Sequence, residues 1–204
     1  AEVQNPNDYK KIILLLDQIV LNYEDSPFVF FAMRHQGDLF RNSGDFVSAL
    51  SIYENLIQKF PKHENIYLAE LSRVDCLSAL ANENSLYELN DVIIDLERLL
   101  DLPNLPNEFQ LEVSYKLALM FKNINNIDQS IKVSLNCLDE YLNFIPGNSS
   151  YNSIGRYWIA RSMLLLSDNL ISVGRHEETK KIYRLMIEYN LPGKEFVEKM
   201  ILEI

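Results

Sequence analysis

Apolar residues recur every three to four positions along almost the whole chain, which is the period of one face of an amphipathic α-helix. No stretch shows the sustained alternation of apolar and polar residues that is typical of a half-buried strand. Proline, glycine and asparagine interrupt the pattern at short intervals and indicate the helix ends. We therefore predict an all-α protein. Its elements are an N-terminal helix, four helical hairpins and a terminal helix, at 7–23, 28–61, 64–101, 108–144, 152–190 and 194–204.

The interruptions are too short to separate domains. The strongest loop signal is the proline-, glycine- and serine-containing stretch 146–150, and no long linker or low-complexity run divides the chain. With 204 residues, of which 48% are hydrophobic, the chain can bury a core without a disulfide or a metal. Its longest apolar runs, 12–16 and 163–166, are too short to span a bilayer. We predict a single helical domain over residues 1–204.

One stretch, 30–63, has small, aromatic and proline residues at the spacing of a helix–turn–helix repeat. These residues are Gly37, Phe40, Gly44, Phe46, Ala49, Tyr53 and Pro61. Glycine in the middle of a helix costs about 1 kcal/mol relative to alanine. We therefore expect the second helix of the hairpin to press against Gly37, with Ala49 as its counterpart. Gly44 permits a tight turn between the helices, and Pro61 ends the second helix.

This pattern resembles the tetratricopeptide repeat, which has a small and an aromatic residue, a turn glycine, an alanine, a second aromatic and a closing proline. A weaker match begins near Leu111, with Asn125 in place of the turn glycine. A third begins near Ala160, where Gly174 matches and Thr179 replaces the packing alanine. The resemblance implies antiparallel helical hairpins stacked as a right-handed solenoid, a fold that usually binds other proteins.

The net negative charge of the chain indicates which classes of partner it can bind. The formal net charge is −10, whereas a nucleic-acid-binding protein needs a basic surface that displaces counterions. The excess is concentrated in residues 64–110, where ten acidic and two basic side chains give a net charge of −8. We expect no nucleic-acid partner, and the acidic tract is suited to a basic partner or to solubility.

No arrangement of residues indicates catalysis, a metal or a cofactor. His35, His63 and His176 lie in three separate elements, and no cysteine pair has zinc-site spacing. The six glycines are scattered singly, which excludes a phosphate-binding glycine loop. We predict a protein that is not an enzyme and uses no cofactor. Cys76 and Cys137 are predicted to be buried free thiols, the alternative being a disulfide formed in an oxidising compartment.

The resemblance also implies a binding groove lined by the first helix of each hairpin. Its candidate residues are Phe31, Arg34, Asp38, Arg41, Tyr115, Lys122 and Arg161. The basic members could bind a carboxylate of the partner, because arginine engages a carboxylate with two parallel hydrogen bonds. The alternatives are that they are ordinary surface charges and that Phe31 and Tyr115 pack in the core. Asp38 stands where carboxylate-binding members of the family prefer asparagine.

We interpret the chain as an interaction adaptor that presents its groove to a protein partner or to a flanking domain of the same polypeptide. The resemblance extends to modules of bacterial envelope proteins, and the Ala1-Glu2 start is consistent with a secreted protein. These features favour a role in envelope assembly or cell division, in the periplasm or at the outer membrane, with the cytoplasm as the alternative. The alternative function is a chaperone-like holder of apolar helical segments. Because the last helical pattern has no cap, we expect the native polypeptide to continue beyond Ile204.

Overall fold

The computed structural model describes residues 6–83, 88–103, 105–143 and 153–204, and every regular element in these ranges is an α-helix. The ten helices are α1 (Pro6–Asn22), α2 (Phe28–Asn42), α3 (Phe46–Lys59), α4 (Ile66–Glu83), α5 (Leu89–Leu100), α6 (Asn107–Asn123), α7 (Ile127–Asn143), α8 (Ser153–Ser172), α9 (His176–Glu188) and α10 (Lys194–Met200). None of these helices has the length and apolarity needed to cross a membrane. The last helix ends before the predicted limit at 204, and residues 201–203 form turns.

The chain divides into two compact units, Ala1–Val92 and Ile93–Ile204, and the boundary lies within α5. In the first unit α1 packs against α2, α2 against α3 and α3 against α4. Their apolar faces form one core, in which Phe30 and Tyr53 are the largest fully buried side chains. His63 closes one side of this core, with its ring stacked on Phe30 at a centroid distance of 3.7 Å.

Gly37 on α2 lies against the side chain of Tyr53 from α3. A Cβ atom at Gly37 would lie 2.5 Å from Cε1 and 2.7 Å from Cζ of Tyr53. The sequence predicted a close approach here with Ala49 as the counterpart, but the atoms that meet Gly37 belong to Tyr53. Because the ring of Tyr53 is fully buried, it cannot move aside without opening the core. Gly37 is therefore the residue that makes room for Tyr53.

In the second unit, α6 packs against both α7 and α8, and α8 packs against α9. A chain of hydrogen bonds crosses this core. The Nδ2 group of Asn169 on α8 donates to Oγ of Ser130 on α7 (2.7 Å), and Ser130 Oγ donates to the carbonyl of Ala118 on α6 (2.6 Å). All three residues are fully buried. A buried polar group is tolerated when it is hydrogen-bonded, so this network ties the three helices together.

The same kind of turn ends four helices. In two of these turns the left-handed position is occupied by asparagine and not by glycine. The left-handed residues are Gly44 (φ 83°), Asn125 (φ 61°), Gly174 (φ 77°) and Asn190 (φ 50°). At the first of these, the amide of Gly44 donates to Arg41 and that of Asp45 donates to Phe40. This pair of bonds is the Schellman motif, and asparagine is the second choice after glycine for its left-handed position. Asn125 therefore replaces the turn glycine, as the sequence predicted.

The terminal helix α10 packs against α9. Val197 is completely buried and belongs to the same core cluster as Met186 and Leu191. This short helix is thus an integral part of the second unit.

Candidate partner-binding surfaces

The candidate residues on α2 surround one carboxylate, that of Asp38. Oδ2 of Asp38 lies 3.7 Å from Nη2 of Arg34, and Oδ1 lies 3.5 Å from Nη2 of Arg41. The hydroxyl of Tyr53, from the core below, also donates to Asp38 Oδ1 at 2.7 Å. The spacing of three and four residues along α2 brings the two arginines to either side of Asp38. Phe31, on the same helix, is 38% exposed.

Arg41 is also tied to the next hairpin. Its Nη1 group donates to Oδ2 of Asp75 on α4 at 3.0 Å. Partial burial opposes its charge, but interactions with Tyr53, Asp75 and Asp38 outweigh this effect and raise the pKa of Arg41. We refer to Arg34, Asp38, Arg41 and Asp75 as the α2–α4 ion cluster. In this cluster the arginine charges are already compensated by carboxylates of the protein itself.

A different arrangement occurs in the second unit. The α6–α8 face consists of Tyr115 on α6 with Tyr157, Trp158 and Arg161 on α8. Arg161 donates from Nη1 to the hydroxyl of Tyr157 (2.8 Å) and from Nη2 to that of Tyr115 (2.7 Å). Its Cζ atom lies 4.7 Å, 5.6 Å and 5.7 Å from the ring centroids of Tyr115, Tyr157 and Trp158. These are cation–π distances, so the guanidinium is held by rings and hydroxyls together.

Among the described residues, Arg161 forms no ion pair. Partial burial opposes its charge, but the hydrogen bonds to Tyr157 and Tyr115 outweigh this effect and raise the pKa of Arg161. The side chain is therefore charged at every physiological pH. Arg161 and Tyr157 are both exposed, Tyr157 by 45%, whereas Tyr115 is only 9% exposed. The face thus presents a fixed and uncompensated positive charge to solvent.

Two lysines of α6, Lys116 and Lys122, form ion pairs with acidic residues. Lys116 bonds Glu112 at 2.7 Å and lies 5.9 Å from the centroid of the Trp158 ring. Lys122, a predicted groove residue, lies 3.7 Å from Oδ2 of Asp168. The structure therefore places Tyr115 and Lys122 on α6 and Arg161 on the neighbouring helix α8.

Sequence reasoning missed Tyr157 and Trp158. One available signal was the spacing of four residues between Tyr157 and Arg161, which brings an aromatic ring and a cation together on one helical face. A second was the presence of a single tryptophan in the chain.

The two cysteines have no features of a reactive site. Both are free and buried, and burial raises the pKa of Cys76 to about 11 and that of Cys137 to about 12. A thiol with such a pKa stays protonated at neutral pH and is a poor nucleophile. Within the described ranges no group of histidine, cysteine or acidic residues is arranged to hold a metal ion.

Comparison with known proteins identifies the repeat. A sequence profile of the tetratricopeptide repeat family matches residues 31–63. No curated protein matches the sequence. A tetratricopeptide repeat protein from Parabacteroides merdae ATCC 43184 superposes with a TM-score of 0.64 at 15% identity, over 97% of this chain and 66% of the other.

Two further solved structures are similar. One consists of the nearly identical tetratricopeptide-like repeats of a Podosopora anserina kinesin light chain, with a TM-score of 0.63 at 11% identity over 87% of this chain and 85% of the other. The other is the MamA protein, with a TM-score of 0.58 at 15% identity over 89% and 82%. Proteins of this fold generally bind other proteins and are generally not catalytic. The predicted all-α fold class is confirmed: residues 31–63 match the tetratricopeptide repeat, and the chain has the fold of these solved repeat structures.

Proposed function

We propose that this protein is an interaction adaptor that binds a protein partner on the α6–α8 face. The observation that carries this proposal is Arg161, a charged side chain oriented by three rings and bonded to no carboxylate in the described part of the chain. Aromatic residues and arginine are enriched among the residues that dominate binding energy at protein interfaces. An ordered guanidinium also loses little conformational entropy on binding, which favours its use in recognition.

The α2–α4 ion cluster is a weaker candidate for the same role. Arg41 already interacts with the carboxylates of Asp38 and Asp75. A partner that binds Arg41 would therefore have to replace interactions that the free protein already has. Arg34, a member of this cluster, and Phe31, on the same helix, remain proposed contacts of secondary weight.

Photocrosslinking tests which face binds. Ile154 is 54% exposed and lies on the same side of α8 as Tyr157 and Arg161, whereas Val47, 62% exposed, lies on α3. Full-length protein carrying Ile154→Cys or Val47→Cys is labelled with a benzophenone maleimide and illuminated in extracts of the source cells. The buried thiols of Cys76 and Cys137 react slowly and give little background.

We expect a discrete protein crosslinked from position 154 and none from position 47. A partner captured only from position 47 would move the interface to the first unit. Absence of any specific crosslink or co-purifying protein would contradict the adaptor function.

A second candidate function, a chaperone-like holder of apolar segments, is favoured by α1. Leu14, Leu15 and Leu21 are exposed by 61%, 60% and 71% and lie on one side of this helix. In this case Leu14→Ser/Leu21→Ser would weaken the ability of the protein to suppress aggregation of a denatured client. An unchanged suppression, or none in the parent protein, would eliminate this candidate.

The location expected from the sequence, the bacterial periplasm or outer membrane, is also a proposal, as is a role in envelope assembly or cell division. Fractionation of the source cells with an antibody against the protein tests it. Recovery with the cytoplasmic markers would support the alternative location.

A further inference from the structure

The α6–α8 face has hydrogen-bond donors and charge that nothing in the described part of the chain uses. Arginine has five N–H groups, and Arg161 donates from Nη1 and Nη2 to the tyrosine hydroxyls only. Each of these hydroxyls, on Tyr115 and Tyr157, accepts from Arg161 and retains its own proton. Neither hydroxyl donates to an acceptor in the described ranges. Three neighbouring groups therefore offer donors, and one of them carries a full positive charge.

We propose that this cluster is a binding site for the carboxylate of an aspartate or glutamate side chain in an extended segment of the partner. This inference rests on the proposed function and specifies the chemistry of the partner. A carboxylate accepts several hydrogen bonds, and those from charged donors are the strong ones. Arg161 supplies charged donors, and the hydroxyls of Tyr115 and Tyr157, each of which accepts from Arg161, have O–H groups beside them.

The charge balance of the face favours a carboxylate over other ligands. A basic side chain is disfavoured because Arg161 already occupies the faces of the rings to which a cation would bind. A phosphate carries a charge of about −1.5 to −2. Arg161 has no carboxylate partner among the described residues, whereas the nearby Lys116 and Lys122 are paired with Glu112 and Asp168. A single carboxylate is matched by this charge.

The position of Arg161 along α8 favours a side-chain carboxylate over a chain end. On the same side of the helix Ile154 and Asp168 are exposed, with the half-buried Leu164 between Arg161 and Asp168. Ile154 and Asp168 each lie seven residues from Arg161, which is about 10 Å along an α-helix. A segment that binds along this surface extends past Arg161 on both sides, so its carboxylate comes from a side chain within the segment.

The single tryptophan of the chain makes the site directly measurable. Trp158 lies against Tyr115 and Tyr157, with ring centroids 5.5 Å and 5.0 Å apart, so its fluorescence reports binding at this face. The probes are acetylated and amidated decapeptides with mixed apolar flanks and a central glutamate, glutamine, lysine or phosphoserine. A fifth set has a central glutamine and a free carboxyl terminus. The full-length protein is titrated with the best binder of each set.

We expect the glutamate peptide to bind at least tenfold more tightly than its glutamine counterpart. Arg161→Gln should reduce this ratio to about one. Tyr115→Phe/Tyr157→Phe, which keeps the rings and removes the hydroxyls, should reduce it severalfold. Arg184→Gln removes the same charge from an exposed position on α9 and should leave the ratio unchanged. Circular dichroism of each variant shows that loss of binding is not loss of folding.

Several outcomes overturn the inference. One is a glutamate preference that survives Arg161→Gln, and others are tighter binding of the lysine, phosphoserine or free-carboxyl peptides. Peptides that change Trp158 fluorescence without any preference for glutamate would overturn the carboxylate site and leave the α6–α8 face as an interface. If no peptide of any set binds and position 154 captures no partner, both the inference and the proposed function fail.

Discussion

The α2–α4 ion cluster and the α6–α8 face use arginine in opposite ways. In the first unit, Arg41 lies between the carboxylates of Asp38 and Asp75, and it joins one hairpin to the next. In the second unit, Arg161 is held by two tyrosine hydroxyls and three rings, which orient its guanidinium without neutralising it. The same residue type therefore contributes to stability in one unit and is available for recognition in the other. What surrounds an arginine, more than its exposure, separates these two roles.

The largest loss of stability is expected from a substitution in the packing beneath the α2–α4 ion cluster. Gly37→Ala would place a Cβ atom within 2.5 Å of the Tyr53 ring, whose hydroxyl supports Asp38. Overpacking of this kind costs about 1–3 kcal/mol, and we expect a loss of that size in urea unfolding. Ser51→Ala, at an exposed position of α3, is the control and should change stability little. A Gly37→Ala protein as stable as the parent would show that Tyr53 does not press on position 37.

The next largest effect is expected when Arg41 and Arg161 are each replaced by glutamine and the two losses of stability are compared. Arg41→Gln leaves the carboxylates of Asp38 and Asp75 without their cation, and we expect it to lower the free energy of unfolding by about 1–2 kcal/mol. Arg161→Gln, which leaves no carboxylate unpaired, should cost about 0.5 kcal/mol. Urea unfolding of both variants measures the difference. Equal losses would mean that the two arginines do not differ in role.

A third prediction concerns alkaline pH. Burial, followed by the hydrogen bond to Asp38, raises the pKa of Tyr53 above its ordinary value. The neutral phenol is therefore favoured in the folded protein, and its contribution is complete below the unfolded pKa of about 10 and is lost as the pH rises above it. Tyr53→Phe should cost about 1 kcal/mol at neutral pH through the lost hydrogen bond.

The stability difference between the parent and Tyr53→Phe should then shrink as the pH rises above about 10. Thermal unfolding across this pH range provides the measurement. Tyr23→Phe, at a position 64% exposed, is the control and should show no such trend. A difference that stays constant with pH would contradict the buried and bonded state of Tyr53.

The smallest change in stability is expected at the left-handed turn residues of the two units. Asn125 adopts the left-handed conformation that Gly44 adopts in the first unit. Asn125→Gly should stabilise the protein by about 0.5 kcal/mol and Gly44→Asn should destabilise it by a similar amount, since a side chain is strained in this conformation. Differential scanning calorimetry of the two exchanges measures them. Shifts of the same sign would show that the turns are not equivalent.

Features that depend on short stretches of sequence were predicted, whereas contacts between different helices were not. Local signals worked well: the helix ends at Gly44 and Asn125 and the close approach at Gly37 were predicted, because turn chemistry and glycine cost are properties of short stretches. The partners of Arg41 and Arg161 were not predicted. Asp75 and Tyr115 reach these arginines from other helices, and helical spacing tells which residues share a face but not what the neighbouring helix places opposite them.

The buried network of Asn169, Ser130 and Ala118 has a consequence for the geometry of the α6–α8 face. Apolar contacts are non-directional, so they specify the alignment of neighbouring helices less sharply than hydrogen bonds do. A slip by one helical turn is a displacement of about 5.4 Å. Such a slip would withdraw the amide of Asn169 from Ser130 and leave a buried donor unsatisfied, at a cost of about 1–3 kcal/mol. The network therefore selects one alignment of α8 against its neighbours, and in that alignment Tyr115 stands opposite Arg161.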